Sequence, residues 1–345
     1  MDGKAVVYCE ACFGNDYGKT AHGLVRHTER YEVVAVIDST LAGQDAGEVI
    51  DGRANGIPVV ASLADVAEDD VAYFVIGMAT DGGTLPSAAR AAVLEAIRQG
   101  LNVDCGLHEF LSDDDELADA ARNAGVRLRD VRKPPPRSER HFFSGDILGV
   151  KALRIAVLGT DCALGKRTTA TLLVQALRDA GLKAELIGTG QTSWLQGVRY
   201  GFILDSTVND FVGGELEHAI VSADRNESPD VIVIEGQACL THPAGSGGAE
   251  ILSSGKPHGV ILQHAPGRKT YSGYDDFPLA PPEQHIATME SLFGTRVIGV
   301  GINPDGLPAE SMAEVIRDHE QRLGIPCCNP LRDGVTKLVD AVRAM

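Results

Sequence analysis

The stretch "GTDCALGKRTTA", Gly159 to Ala170, combines residue types that could grip a phosphate. Glycines bracket a turn, Lys166 brings a full positive charge, and the segment joins an apolar run, "LRIAVL", to an amphipathic helical pattern. Backbone N–H groups in such a turn, together with the partial positive charge of the helix start, make a cradle for an anion. The spacing departs from GxxxxGK[ST]: five residues instead of four separate Gly159 from Gly165, and Arg167 stands between Lys166 and the hydroxyl of Thr168. The expected phosphate-binding residues are Gly159, Thr160, Asp161, Cys162, Ala163, Leu164, Gly165, Lys166, Arg167, Thr168 and Thr169. Spacing leaves the owner of the phosphate open, because nucleoside triphosphates, dinucleotides and coenzyme A all carry pyrophosphates.

Three more segments end apolar runs on polar or glycine-rich stretches. "GTGQTSWLQG" brings Gln191, Thr192 and the single tryptophan, Trp194; "VIVIEGQACLTHPAG" brings Glu235, Gln237 and His242; "QHAPGRKTYSGYDDFP" brings His264, Arg268, Lys269 and Tyr274. Carboxyl ends of parallel strands gather on one side of a sheet, so these segments are expected to share a cleft with the phosphate loop. Glu235 could hold Mg²⁺ for a nucleotide, take a proton from an attacking group, or only order neighbouring loops. His242 and His264 suit either catalysis or structural hydrogen bonding. Arg268 and Lys269 suit contacts to phosphate or carboxylate. Near the N-terminus Gly18, Lys19 and Thr20 imitate the loop, but only three residues separate Gly14 from Gly18, and the GxGxxG pattern that would support NAD is missing. Asp38, ending "VVAVID", stands where a ribose-binding acid would sit. Cys9 and Cys12 form a CxxC without a second pair or a histidine at metal spacing, so no metal site is expected.

The elements that must position these residues read as an alternation of Val- and Ile-rich runs with helical patterns, the rhythm of parallel sheets covered on both faces. "RKPPPRSERHFFSG" interrupts it, because consecutive prolines continue neither a helix nor an inner strand. The boundary is expected near Pro135, dividing the 345 residues into 1–135 and 136–345. The expected fold is α/β, with two doubly wound parallel-sheet domains: a Rossmann-like N-terminal one and a P-loop NTPase-like C-terminal one. A net charge of -17 argues against nucleic acid and anionic membrane surfaces as partners. Without a leader pattern or a long apolar run the expected location is the cytoplasm, and seven cysteines there argue against a disulfide framework.

Together "VVAVIDST", "CGLHEFLSDDDEL", "GTDCALGKRTT", "GTGQTSWLQG", "NDFVGGELE", "EGQACLTHPA" and "HAPGRKTY" resemble the DgcN-like family, whose best-understood member is a D-glutamate N-acetyltransferase. The second half also resembles dethiobiotin synthetase, whose loop similarly reads GTD and then GK and Thr. The family resemblance implies acetyl transfer from acetyl-CoA to the amino group of D-glutamate or a related amino acid, in amino-acid catabolism. Coenzyme A phosphates would then lie on Gly159 to Thr169, with Arg268 and Lys269, and the thioester would extend towards Glu235. That chemistry needs a base and oxyanion donors. Glu235 and His242 are the candidate bases, Gln191 and Gln237 the candidate donors, and Thr192, Arg199, His264 and Tyr274 the candidate substrate contacts. Small-molecule substrates and a homo-oligomer are the expected partners. Competing readings are an ATP- and Mg²⁺-dependent carboxylate-activating enzyme of the dethiobiotin synthetase type, a nucleotide sensor without turnover, and an NAD-dependent oxidoreductase.

Overall fold

The computed structural model describes residues 1–68 and 70–345. Contacts divide the chain into two compact units, Met1–Pro135 with Gln191–Val198, and Pro136–Gly190 with Arg199–Met345.

Unit 1 is built on strands β1 (Gly3–Tyr8), β2 (Tyr31–Ile37), β3 (Val59–Val60), β4 (Tyr73–Ile76), β5 (Asn102–Cys105) and β6 (Leu128–Asp130). All pairs are parallel, in the order β3-β2-β1-β4-β5-β6, the Rossmann arrangement. Inner strands of such a sheet are covered on both faces, and all four residues of β4 are accordingly buried. Helix ends follow their local chemistry: Asp114 accepts from the Leu117 N–H, and Gly125 closes the same helix, Asp115–Ala124, in the left-handed conformation.

The first strand-to-helix turn of this unit is filled by protein. Phe13 is fully buried, and Asp38 accepts from the Phe13 N–H (3.0 Å), the Thr40 N–H (3.0 Å) and the Thr40 hydroxyl (2.6 Å). The acid in the ribose-binding position is thus spent on its own turns.

Gln191–Val198 packs as part of unit 1. Thr192 and Thr20 share a buried hydroxyl contact of 3.1 Å, and the Gln196 amide donates to the carbonyls of Gly23 and His27. Trp194 lies under the Arg30 guanidinium, 3.8 Å from its ring centroid, with the Arg129 guanidinium at 5.2 Å. Arg129 is held in turn by the fully buried Asp104 carboxylate, which also accepts from the Tyr31 hydroxyl. A Cβ at Gly106 would come within 2.9 Å of the Gln191 side chain, so the glycine admits the segment.

Unit 2 contains β7 (Leu153–Gly159), β8 (Ala184–Gly188), β9 (Tyr200–Gly201), β10 (Val231–Glu235), β11 (Gly259–His264), a separate antiparallel hairpin of β12 (Thr270–Tyr271) and β13 (Tyr274–Pro278), then β14 (Arg296–Ile302) and β15 (Cys327–Cys328). Its seven-stranded sheet is parallel throughout and runs β15-β14-β11-β7-β10-β8-β9. The strand leading into the phosphate loop, β7, is therefore flanked by β11 and β10, which bring His264 and Glu235 to either side. The segment entering β7 is anchored by the buried Glu217, which accepts from the N–H groups of Ser144, Gly145 and Ile147 and from the Ser144 hydroxyl. Among the described residues no helix is long and apolar enough to cross a membrane.

Candidate functional site

The loop after β7 is braced from the ends of β11 and β14. The Thr160 N–H donates to the Gln263 carbonyl (2.9 Å), and the Leu164 carbonyl accepts from the amides of Gln263 and Asn303, each at 3.1 Å. Ala163 (φ 51°) and Gly165 (φ 87°) are both left-handed, so the chain reverses sharply just before the helix Lys166–Asp179 begins. A Cβ at Gly159 would stand 3.3 Å from the Lys166 Nζ, and the glycine leaves the ammonium its place. Lys166 is buried and donates to the Asp161 carbonyl at 2.6 Å. Burial pushes its pKa down, opposed by the nearby Cys162, Cys239, Asp161 and Glu235. A phosphate arriving at the helix start would supply the negative partner that a desolvated ammonium favours.

Asp161 is fully buried and joins the loop to the β12–β13 hairpin: its Oδ2 accepts from the Arg268 guanidinium (2.7 Å) and the Ser272 N–H (2.9 Å). Arg268 also donates to the Cys162 carbonyl (2.8 Å) and to Asp305 (2.8 Å). The structure thus occupies Arg268 as a strut of the loop, whereas Lys269 is exposed at the hairpin root.

Asp161 Oδ1 and His242 Nε2 are buried, lack a hydrogen-bond partner, and lie 3.6 Å apart. Together with Cys162 they place ligand atoms within 4.8 Å of one another, a donor set of the kind zinc takes. The imidazole opposes that use. Its Nδ1 accepts the Ala244 N–H at 3.1 Å, so in the neutral ring the proton sits on Nε2 and faces Asp161. The same tautomer leaves no free lone pair for a base, and general-base action by His242 would require the Ala244 contact to break. The ring is edge-on to both Tyr271 and Tyr274, at 5.5 Å each.

Glu235 ends β10 alongside Val157 of β7, and it is buried. Its Oε2 accepts the Thr189 N–H at 2.8 Å, its carbonyl accepts the Thr189 hydroxyl at 2.9 Å, and the Gln237 amide donates to that hydroxyl at 3.1 Å. A Cβ at Gly190 would stand 2.9 Å from the Gln237 Nε2, so the glycine leaves that amide its place. The carboxylate is therefore oriented by Thr189 at the carboxyl end of the sheet.

His264 is buried, its Nδ1 lies 3.0 Å from the Thr160 hydroxyl, and burial, reinforced by His319 and His285, pushes its pKa down to about 3. It is a neutral support of the loop. Within the helix start Thr169 is buried, while Arg167 and Thr168 are half-buried. Tyr274 stands on the exposed strand β13. Arg199 is an exposed cation paired with Glu227. Gln191 and Thr192 lie in unit 1, whereas Glu235, Gln237, His242, His264, Arg268 and the loop itself lie in unit 2. Sequence reasoning passed over Thr189, Asn303 and Asp305, although "GINPDG" carries the same signal, polar residues ending an apolar strand, that singled out the other segments.

The C-terminal domain model of DUF1611, described as a domain of unknown function with a P-loop, matches residues 141–339, and its Rossmann-like N-terminal companion matches residues 39–134. A crystal structure of a DUF1611 family protein from Anabaena variabilis is similar over 99% of both chains, with a TM-score of 0.90 and 28% identity. A D-glutamate N-acetyltransferase from a Pseudoalteromonas species is 30% identical over 284 residues, covering 81% of this chain and 83% of that relative. A protein of the same name from Tritonibacter scottomollicae is 30% identical over 277 residues, covering 79% and 81%. With the phosphate loop at the head of the second sheet and the Rossmann strand order in the first, the chain belongs to the DUF1611 family.

Proposed function

We propose that this protein is an N-acetyltransferase that moves the acetyl group of acetyl-CoA onto the amino group of D-glutamate. The observation that carries the reading is the 30% identity, over about four fifths of each length, to two relatives bearing that name. The loop supports it chemically, because a braced turn with a buried lysine suits the pyrophosphate of coenzyme A. In this reading the loop N–H groups and Lys166 hold the phosphates. Glu235, oriented by Thr189, takes the proton of the attacking amine. Nitrogen bonds to the acetyl carbon, the C–S bond breaks, and the proton taken by Glu235 passes to the departing thiolate, so that coenzyme A leaves as the thiol.

The test is to incubate the purified protein with acetyl-CoA and D-glutamate, following free thiol with a chromogenic disulfide and N-acetylglutamate by mass spectrometry. The expected result is equal amounts of thiol and product, unchanged by EDTA. Absence of acetyl transfer, with Mg²⁺-dependent ATP consumption instead, would replace this reading with carboxylate activation by phosphoryl transfer. Thr168 and Glu235 are the residues that would hold the metal in that case.

A further inference from the structure

We propose that Tyr274 and Phe277, on the β12–β13 hairpin, form the stacking platform for the adenine ring of the coenzyme. This assignment rests on the acetyl-CoA reading above.

Every residue of β13 is exposed, and it carries two large aromatic side chains, Tyr274 (36% exposed) and Phe277 (50% exposed). Their ring centroids are 5.9 Å apart at an interplanar angle of 83°, so they present an L-shaped apolar corner. A two-stranded ribbon has no sheet of its own on which to bury such rings. Adjoining apolar groups left in water on a soluble protein mark a binding surface more often than single exposed residues do.

The hairpin is fastened to the phosphate loop, which identifies the occupant. Ser272 and Arg268 both donate to Asp161 of the loop, and the hydroxyls of Tyr271 and Thr241 meet at 2.6 Å. Tyr274 leans on His242, whose Nε2 is 3.6 Å from the same Asp161. The aromatic corner therefore stands one side chain beyond the anion cradle. A ligand with its phosphates on the loop and a flat ring one sugar away reaches both, and the adenosine end of coenzyme A has that arrangement. The pantetheine arm offers no π face. Asp275 and Asp276, between the two aromatics in the sequence of β13, can accept from the adenine amino group.

The experiment is calorimetric titration of the full chain with acetyl-CoA, ADP and 4'-phosphopantetheine, using the wild type, Tyr274→Ala, Phe277→Ala and Tyr274→Phe. Base-on-aromatic stacking predicts that each alanine variant weakens acetyl-CoA and ADP by about tenfold, leaves phosphopantetheine unchanged, and that Tyr274→Phe binds all three like the wild type. Wild-type ADP affinity in both alanine variants, or an equal loss for phosphopantetheine, overturns the assignment while the acetyl-CoA reading stands. A wild-type protein that binds none of the three ligands overturns the reading and the platform together. Both side chains are exposed, and unchanged melting curves will show that the variants are folded.

Discussion

Replacing Lys166 by alanine separates the loop's affinity for phosphate from its contribution to the fold. The ammonium is buried, and its contact with the Asp161 carbonyl at 2.6 Å accompanies a desolvation that lowers its pKa. In the free protein the deletion leaves that carbonyl without its donor, at a cost of about 1 kcal/mol, but also relieves the burial of a charge. The two effects oppose each other, so Tm should move by no more than about 3 °C. With ligand bound, the variant lacks a charge-assisted bond to phosphate worth about 1.5–3 kcal/mol, which is roughly a 10- to 150-fold loss in acetyl-CoA affinity.

The pH dependence has a definite sign. Phosphate favours the charged lysine, and burial lowers the pKa below the ordinary 10.5, so wild-type affinity should fall as pH rises, beginning before that value. Lys166→Ala should lack this decline. Calorimetry across pH, paired with thermal melts of the same samples, measures both quantities. Wild-type affinity in the variant would remove the loop from the binding site and refute the reasoning.

Glu235→Gln keeps the shape of the side chain but removes the proton acceptor, so kcat should fall by roughly 10²–10⁴ while acetyl-CoA affinity stays near wild type; near-normal kcat would eliminate the base role. Glu217→Gln should destabilise unit 2 by about 2–4 kcal/mol, because a buried carboxylate accepting from Ser144, Gly145 and Ile147 becomes an amide that must turn donors towards donors. Burial raises the Glu217 pKa, but these hydrogen bonds outweigh it and the net pKa is lowered from 4.5, so its stabilisation is present above that pH and is lost as pH falls below it. Acid titration of the melting temperature should therefore show a steeper fall for wild type than for the variant. Gly214→Ala should cost about 1–3 kcal/mol in chemical denaturation, since its Cβ would overlap the His141 carbonyl oxygen and force backbone apart.

Much of this architecture is legible in sequence because its causes are local. Val- and Ile-rich runs separated by capped helices specify parallel sheets, and the prolines at 134–136 break the rhythm where the contacts divide. The glycines and lysine of Gly159 to Lys166 are readable as an anion loop because turn geometry and helix polarity depend on neighbours in the chain. What each polar side chain is spent on depends on partners far away in sequence. Arg268 has the type and position of a phosphate ligand, yet Asp161, the Cys162 carbonyl and Asp305 occupy it. His242 has the type of a base, yet the Ala244 N–H decides which nitrogen carries its proton. Asp38 ends its strand as a ribose acid would, yet Phe13 and Thr40 consume it. Gln191 to Val198 follows β8 in the chain but packs with unit 1, because Gly106, Thr20 and the Arg30 and Arg129 side chains provide its close contacts. Periodicity and spacing determine which elements form, whereas hydrogen bonds and ion pairs act over a few ångströms, and only the folded chain brings residues so distant in sequence within that range.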